Sequence, residues 1–65
     1  MTIVNYKNQL IVIEKNKDGS YKFKCDINDV EPLSMRFYQY SKKDALKLFK
    51  NAIDTELAFF NYFNK

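Results

Sequence analysis

The chain has 65 residues, a net charge of +3, 46% hydrophobic and 17% aromatic residues, one cysteine and no histidine. These values exclude an internal disulfide and any catalytic triad or dyad built on histidine, and they nearly exclude a structural zinc site. The single glycine excludes phosphate-binding and dinucleotide-binding loops. We therefore expect one small domain over residues 1–65 that is not an enzyme and holds no cofactor or metal.

Two segments predict the first hairpin. Residues 8–14 contain the run Leu-Ile-Val-Ile, which favours a strand, and residues 21–27 alternate apolar and polar side chains as a half-buried strand does. The turn between them holds Gly19, which supplies a positive φ angle. A loop of two residues, Asp18-Gly19, would place Leu10 and Val12 beside Phe23.

A loop of three residues, Lys17-Asp18-Gly19, is favoured instead, because Asn16 suits the start of a type I turn. Leu10 and Val12 then face outward or lie under the N-terminal segment. The core face of this hairpin is then formed by Ile11, Ile13, Phe23 and Cys25.

The next segment predicts a polar turn at residues 28–32, where Pro32 is expected to end any strand ladder. Alternating apolar residues at positions 33, 35 and 37 then predict a third strand. Tyr38 and Tyr40 are out of phase with it. They either face the other side of the sheet or are shifted by a bulge.

The last segment predicts a helix over residues 42–64. Ser41 and Asp44 have the spacing of a capping box, and apolar residues recur with the helical period from position 45 to position 60. Such a helix is about 35 Å long, whereas the strands span about 20 Å. Its last two turns must therefore overhang the sheet, bend back over it or meet another surface, and a break near Asp54 would allow the bend.

Together these elements predict an α+β domain. A three-stranded antiparallel sheet within residues 2–40 packs against one long or broken C-terminal helix. Residues 1–6 lack the features of a signal peptide, and no apolar run reaches the roughly 20 residues of a membrane span, so we expect a cytoplasmic protein. The many Lys, Asn, Ile, Phe and Tyr residues have AT-rich codons, which indicates a low-GC genome such as that of a bacterium, a phage, a plasmid or an organelle.

The stretch from Tyr21 to Ile53 resembles two families. Strand, turn and strand followed by Tyr40-Ser41-Lys42-Lys43-Asp44-Ala45-Leu46 resemble the arm-binding domains of tyrosine recombinases, which implies a three-stranded sheet whose exposed face reads DNA. The segments Ile11–Lys15, Asp18–Tyr21 and Ser41–Leu46 are similar to HicB-like antitoxin domains. The chain lacks the Pro-Gly-rich loop of HicB-like domains and the dense Arg and Lys of the recombinase arms.

The C-terminal tail is the first candidate site. Either it bends back to complete a small core, or part of it stays exposed and docks on a partner protein or on a second copy as a homodimer. The second possibility indicates a small protein-binding module of the phage-encoded inhibitor or adaptor type. The candidate partner-binding residues are Leu57, Phe59, Phe60, Tyr62 and Phe63.

The outward face of the sheet is the second candidate, and it indicates nucleic-acid binding as the alternative function. Cations attract phosphates and tyrosine rings stack on bases, although lysines also protect strand edges routinely. The candidate nucleic-acid-binding residues are Lys22, Lys24, Arg36, Tyr38 and Tyr40.

Two further features are interpreted as structural. Cys25 lies in the apolar phase of its strand, so a buried small hydrophobe is expected rather than a reactive thiol. Asp26, Asp29 and Glu31 lack the glycine and the bidentate glutamate of a calcium-binding loop, so a solvated acidic turn is expected.

Overall fold

The computed structural model describes the backbone of residues 1–63 and the side chains of residues 1–62. Four strands are followed by one helix: β1 (Thr2–Tyr6), β2 (Gln9–Lys15), β3 (Tyr21–Ile27), β4 (Glu31–Phe37) and α1 (Lys42–Phe63). The strands form one antiparallel sheet in the order β1-β2-β3-β4. The α+β class is as expected, but the prediction of a three-stranded sheet was wrong.

The additional strand is β1. It pairs with β2 so that Ile3 lies opposite Val12 and Val4 lies opposite Ile11. The two strands are joined by Lys7 and Asn8, both in the left-handed region with φ angles of 51° and 64°. This geometry matches the right-handed twist of a hairpin, and asparagine tolerates it better than most residues. Without a glycine at this turn, the sequence carried only a weak hairpin signal.

The predicted three-residue loop between β2 and β3 is confirmed. The Asn16 N–H donates to the Ser20 carbonyl (2.8 Å), and the Gly19 N–H donates to the Asn16 carbonyl (3.0 Å). Gly19 has a φ of 89°, as the bulge position requires. The resulting register places Ile11 opposite Cys25 and Ile13 opposite Phe23, so the predicted core face is also correct.

The expectation that Pro32 ends the ladder was wrong. The turn between β3 and β4 is shorter than predicted, because Ile27 already pairs with Glu31 and only residues 28–30 lie between the strands. Asn28 and Asp29 make the reversal with φ angles of 51° and 61°. Pro32 therefore lies within β4, opposite Asp26. Because β4 is an edge of the sheet, the N–H groups on its outer side enter no ladder and a proline is tolerated there.

The helix begins at the predicted cap and covers one face of the sheet. The Asp44 N–H donates to the Ser41 hydroxyl (3.1 Å). Ala45, Phe49 and Ile53 recur every four residues and are fully buried. The Phe49 ring lies 5.3 Å from that of Phe23, between helix and sheet. Burial of each phenylalanine contributes about 2–3 kcal/mol. Among the side chains that the structure describes, the buried core comprises Ile11, Ile13, Phe23, Cys25, Ile27, Phe37, Ala45, Phe49 and Ile53.

Polar contacts also hold α1 against β1. The Lys42 Nζ donates to the Thr2 hydroxyl (3.3 Å) at one end of the strand. At the other end, the Tyr6 hydroxyl donates to the Asp54 carboxylate (3.0 Å), and Lys7 forms an ion pair with the same carboxylate (2.7 Å). The helix continues through Asp54 without a break.

Candidate functional site

The C-terminal end of α1 projects beyond the sheet. The hydrogen bond between Tyr6 and Asp54 places Asp54 beside the last residue of β1, where the turn to β2 begins. The residues of α1 that follow Asp54 therefore extend past this end of the sheet. A helix of 22 residues is about 33 Å long, whereas a strand of seven residues spans about 23 Å. Of the three predicted possibilities, the structure shows the overhang.

The five predicted tail residues differ in burial. Leu57 packs partly against the core, and Phe60 is half-buried. Phe59 and Tyr62 point away from the sheet, with 55% and 71% of their surface exposed. The side chain of Phe63 lies outside the described residues. The tail is therefore core on one side and accessible surface on the other.

A mainly apolar stripe runs along one exposed flank of α1, beside the face that packs on the sheet. We call it the outward stripe, and it consists of Leu48, Ala52, Thr55, Phe59 and Tyr62. Its members are separated by four, three, four and three residues, which is the spacing of a coiled-coil seam. The Thr55 hydroxyl donates to the Asn51 carbonyl (3.1 Å), so its polar group is already hydrogen-bonded. Sequence reasoning missed the stripe because its N-terminal half was assigned to the core.

Beside the C-terminal half of the outward stripe lies a shallow groove. It is lined by Asp54, Thr55, Ala58, Phe59 and Tyr62. Most of these side chains are apolar, and the carboxylate of Asp54 lies at the edge that leads back to the sheet. The groove and the stripe together form a surface that can accept an apolar side chain from another molecule.

The opposite layer of the molecule presents a second surface. We call it the open face: the side of the sheet away from α1, formed by alternate residues of all four strands. Lys22 lies directly opposite Arg36 on this face, and Lys24 lies opposite Ser34. Arg36 donates to the Tyr38 hydroxyl (3.3 Å), a contact that raises the pKa of the guanidinium.

The structure thus brings together four of the five residues predicted to bind nucleic acid. Tyr40 is the exception, since its ring packs edge-to-face on the core residue Phe37 with the centroids 5.9 Å apart. Tyr38 therefore lies beside Arg36 on the open face, whereas Tyr40 packs against the core. Two carboxylates, Glu14 and Asp26, share the open face with the cations and reduce its positive charge.

The open face also carries apolar side chains that sequence reasoning did not place together. Ile3 and Leu10 are each 58% exposed, and Val12 lies between them, opposite Ile3 and two residues from Leu10. The missed strand β1 is what assembles this group. Leu10 and Val12 both lie on the side of the sheet away from the core, which agrees with the expected three-residue loop.

The interpretation of Cys25 as a buried small hydrophobe is confirmed. Cys25 is buried in the core, and burial raises the pKa of its thiol, which disfavours the reactive thiolate. The three acidic residues are exposed, and only Asp29 lies in the turn, since Asp26 belongs to β3 and Glu31 begins β4. Among the described residues, no group of three or more potential ligands is arranged to hold a metal ion.

No helix within the described part of the chain is both long and apolar enough to cross a bilayer. Comparisons with protein-family models, with curated proteins and with solved structures gave no match to this chain. The resemblances to recombinase arm-binding domains and to HicB-like antitoxins therefore remain untested predictions.

Proposed function

We propose that the protein is a small non-enzymatic binding module that docks on a partner protein through the outward stripe. The observation that carries this proposal is the exposure of Phe59 and Tyr62 on a helix end that projects beyond its own sheet. Large exposed aromatic side chains are typical anchors of protein interfaces. The module we propose is an inhibitor or adaptor that acts in the cytoplasm, of the kind encoded by phages.

The spacing of the outward stripe indicates how the partner would be bound. Residues at intervals of four and three lie along one line of a helix, and such a line packs into an apolar groove or against a second helix. Phe59 and Tyr62 would act as the anchors. Leu48 and Ala52 would extend the contact toward the middle of α1, where the helix is held firmly by the core residues Phe49 and Ile53.

A second copy of the chain is the alternative occupant of the outward stripe. Two outward stripes packed antiparallel about Thr55 would place Leu48 against Tyr62 and Ala52 against Phe59. Each large aromatic would then face a smaller side chain. Sedimentation velocity over a range of protein concentrations separates this homodimer from a monomer that binds a different protein.

Photo-crosslinking tests the proposal directly. A benzophenone amino acid at Tyr62 should capture a partner, or a second copy, whereas the same group at the exposed residue Lys47 should capture neither. Phe59→Asp should then reduce binding of the purified partner by about a hundredfold, which corresponds to the loss of a typical hot spot. Asn61→Asp adds the same charge to the same helix end beside the stripe, and it should have little effect.

Circular dichroism must show that Phe59→Asp remains folded. If this variant is folded and still binds the captured protein with unchanged affinity, the outward stripe is not the docking surface and the proposal fails.

Nucleic-acid binding through the open face is the second candidate function. Its support is the gathering of Lys22, Lys24, Arg36 and Tyr38 on one uncovered surface. Fluorescence anisotropy with mixed-sequence DNA and RNA should then show binding that weakens steeply with salt and is removed by Lys24→Glu with Arg36→Glu. Absence of binding at low salt would exclude this candidate.

A further inference from the structure

We propose that the open face is a second docking surface, and that it binds an acidic amphipathic helix of a partner protein. This goes beyond the proposed function, because the open face lies on the opposite layer from the outward stripe. The two surfaces share no residue, so each can fail its test without the other.

The open face has two halves of different chemistry. The half formed by β1 and β2 is mainly apolar, with Ile3, Leu10 and Val12 exposed or half-exposed, and it carries one carboxylate, Glu14, opposite Lys22. The half formed by β3 and β4 is mainly cationic, because it carries Lys22, Lys24 and Arg36 against the single carboxylate of Asp26. The halves meet in the middle of the sheet, where Val12 lies directly opposite Lys24. A ligand for the whole face must therefore be apolar along one side and negative along the other.

An amphipathic helix has the dimensions for this surface. A helix with its side chains is about 10 Å wide, and neighbouring strands are about 4.8 Å apart, so a helix lying over β2 covers β1 and β3 as well. Its apolar stripe would rest on Ile3, Leu10 and Val12. Carboxylates on one flank of that helix would then reach Lys22 and Lys24.

Charge complementarity favours this occupant over a second copy. Among the described side chains of the open face, the cations Lys22, Lys24 and Arg36 outnumber the carboxylates Glu14 and Asp26. Two open faces packed together would double this excess of positive charge inside one interface. An acidic helix neutralises it.

The apolar half also distinguishes the occupant from nucleic acid. Phosphate groups would engage Lys22, Lys24 and Arg36 but would leave Ile3 and Leu10 without a partner. These two side chains have more than half of their surface exposed, and only a ligand with apolar side chains removes that surface from water.

Three synthetic helical peptides test the inference by NMR titration of the full chain. The first carries a leucine stripe flanked on one side by glutamates, the second has lysines in place of the glutamates, and the third has serines in place of the leucines. The first peptide should shift the amide signals of β1, β2 and β3. The other two should bind at least about tenfold more weakly.

Variants of the protein assign the binding to the open face. Leu10→Thr keeps a strand-forming residue and should weaken the binding of the glutamate peptide. Lys24→Glu should weaken this binding as well. Because charge reversal inverts the preference, Lys24→Glu should also bind the lysine peptide more tightly than the unmodified chain does. Lys47→Glu makes the same charge change at an exposed position of α1, and it should bind the glutamate peptide as the unmodified chain does.

Four results would overturn the inference. They are no binding of the glutamate peptide, equal binding of the glutamate and lysine peptides, amide shifts confined to α1, and a dimer that Leu10→Thr dissociates. Tighter binding of DNA than of the glutamate peptide, with the same amide shifts, would assign the open face to nucleic acid instead.

Discussion

Asp54 links the helix to the sheet through two different side chains. The Tyr6 hydroxyl and the Lys7 ammonium both donate to its carboxylate, and the Tyr6 ring also lies 5.2 Å from the ammonium of Lys50. The hydrogen bonds from Lys7 and Tyr6 hold the pKa of Asp54 below its ordinary value, and the same contact with Asp54 raises the pKa of Lys7. Both shifts mean that the charged pair stabilises the folded state.

The pH dependence of this stabilisation follows from the directions of the two shifts. A carboxyl group with a lowered pKa stabilises the fold above the ordinary aspartate value of 3.8, and the effect is lost as the pH falls through the lower folded pKa. Lys7 contributes below the ordinary lysine value of 10.5, and its effect is lost as the pH rises through the raised folded pKa.

We predict that Asp54→Asn lowers the melting temperature at neutral pH by a few degrees at most, because water screens both groups. Thermal melts followed by circular dichroism should show the difference from the unmodified chain shrinking both below the folded pKa of Asp54 and above that of Lys7. A difference that stays constant from acid to alkaline pH would show that the charged pair is not its cause.

Gln9 shows a contact that sequence reasoning could not supply. Its amide donates to the Asn28 side chain (3.0 Å) and accepts from the Asn28 backbone N–H (2.8 Å), which joins the turn after β1 to the turn after β3. Gln9 is buried, although a polar residue in that position reads as solvent-exposed. Its partner becomes visible only when the two turns are known to be neighbours in space.

At the scale of elements, the tight turns explain which parts of the fold were predicted correctly. The turn with Gly19 was found because glycine marks a left-handed position, and the helix start was found because Ser41 is a good cap. The turns at Lys7-Asn8 and Asn28-Asp29 use the same left-handed backbone without glycine. Strand β1 and the extent of β4 were missed for that reason.

The turn at Asn28-Asp29 should be easy to stabilise. Asp29 has a φ of 61° in an exposed turn, where the side chain of an L-residue is strained and glycine is not. We predict that Asp29→Gly raises the free energy of unfolding by about 0.5–1 kcal/mol, measured by urea denaturation.

The control for that variant is Asp29→Ala. It also removes the carboxylate but keeps a β-carbon at the positive φ angle, so it should not stabilise the protein. Equal gains from alanine and glycine would mean that the charge, not the backbone, is responsible.

On the scale of the whole molecule, one small core supports both candidate surfaces. The helical spacing of the core residues in α1 was predictable from the sequence, and so was the position of Ile11, Ile13 and Phe23 on one face of the sheet. The overhang of the helix end and the apolar half of the open face were not. Both depend on where separate elements end relative to one another, which hydrophobic periodicity does not specify.

Substitution of Phe49 tests how much this core contributes to stability. Phe49→Ala should cost about 3–5 kcal/mol, because the ring is fully buried against Phe23. A domain of 65 residues has a total stability of about 3–10 kcal/mol, so the loss removes between about a third and all of it, and the variant should melt at a clearly lower temperature than the unmodified chain.

Leu48→Ala is the matched control, since Leu48 is the neighbouring residue but belongs to the outward stripe. It should change stability by less than about 1 kcal/mol in urea denaturation followed by circular dichroism. A larger loss for Leu48→Ala than for Phe49→Ala would contradict the assignment of the two sides of α1.

The order of the elements along the chain has a consequence for how the protein folds. Every strand pairs with the next strand in the sequence, so the three hairpins close short loops and give a topology of low contact order. The helix comes last, and its core residues cover Phe23 and most of the core face, while Tyr40 packs on Phe37. We expect rapid hairpin formation followed by helix docking, so that Phe49→Leu accelerates unfolding more than it slows refolding in stopped-flow experiments. Until α1 docks, the core face of the sheet is the largest apolar surface that the folding chain exposes. The helix that presents the outward stripe to a partner is therefore also the element that buries this core face.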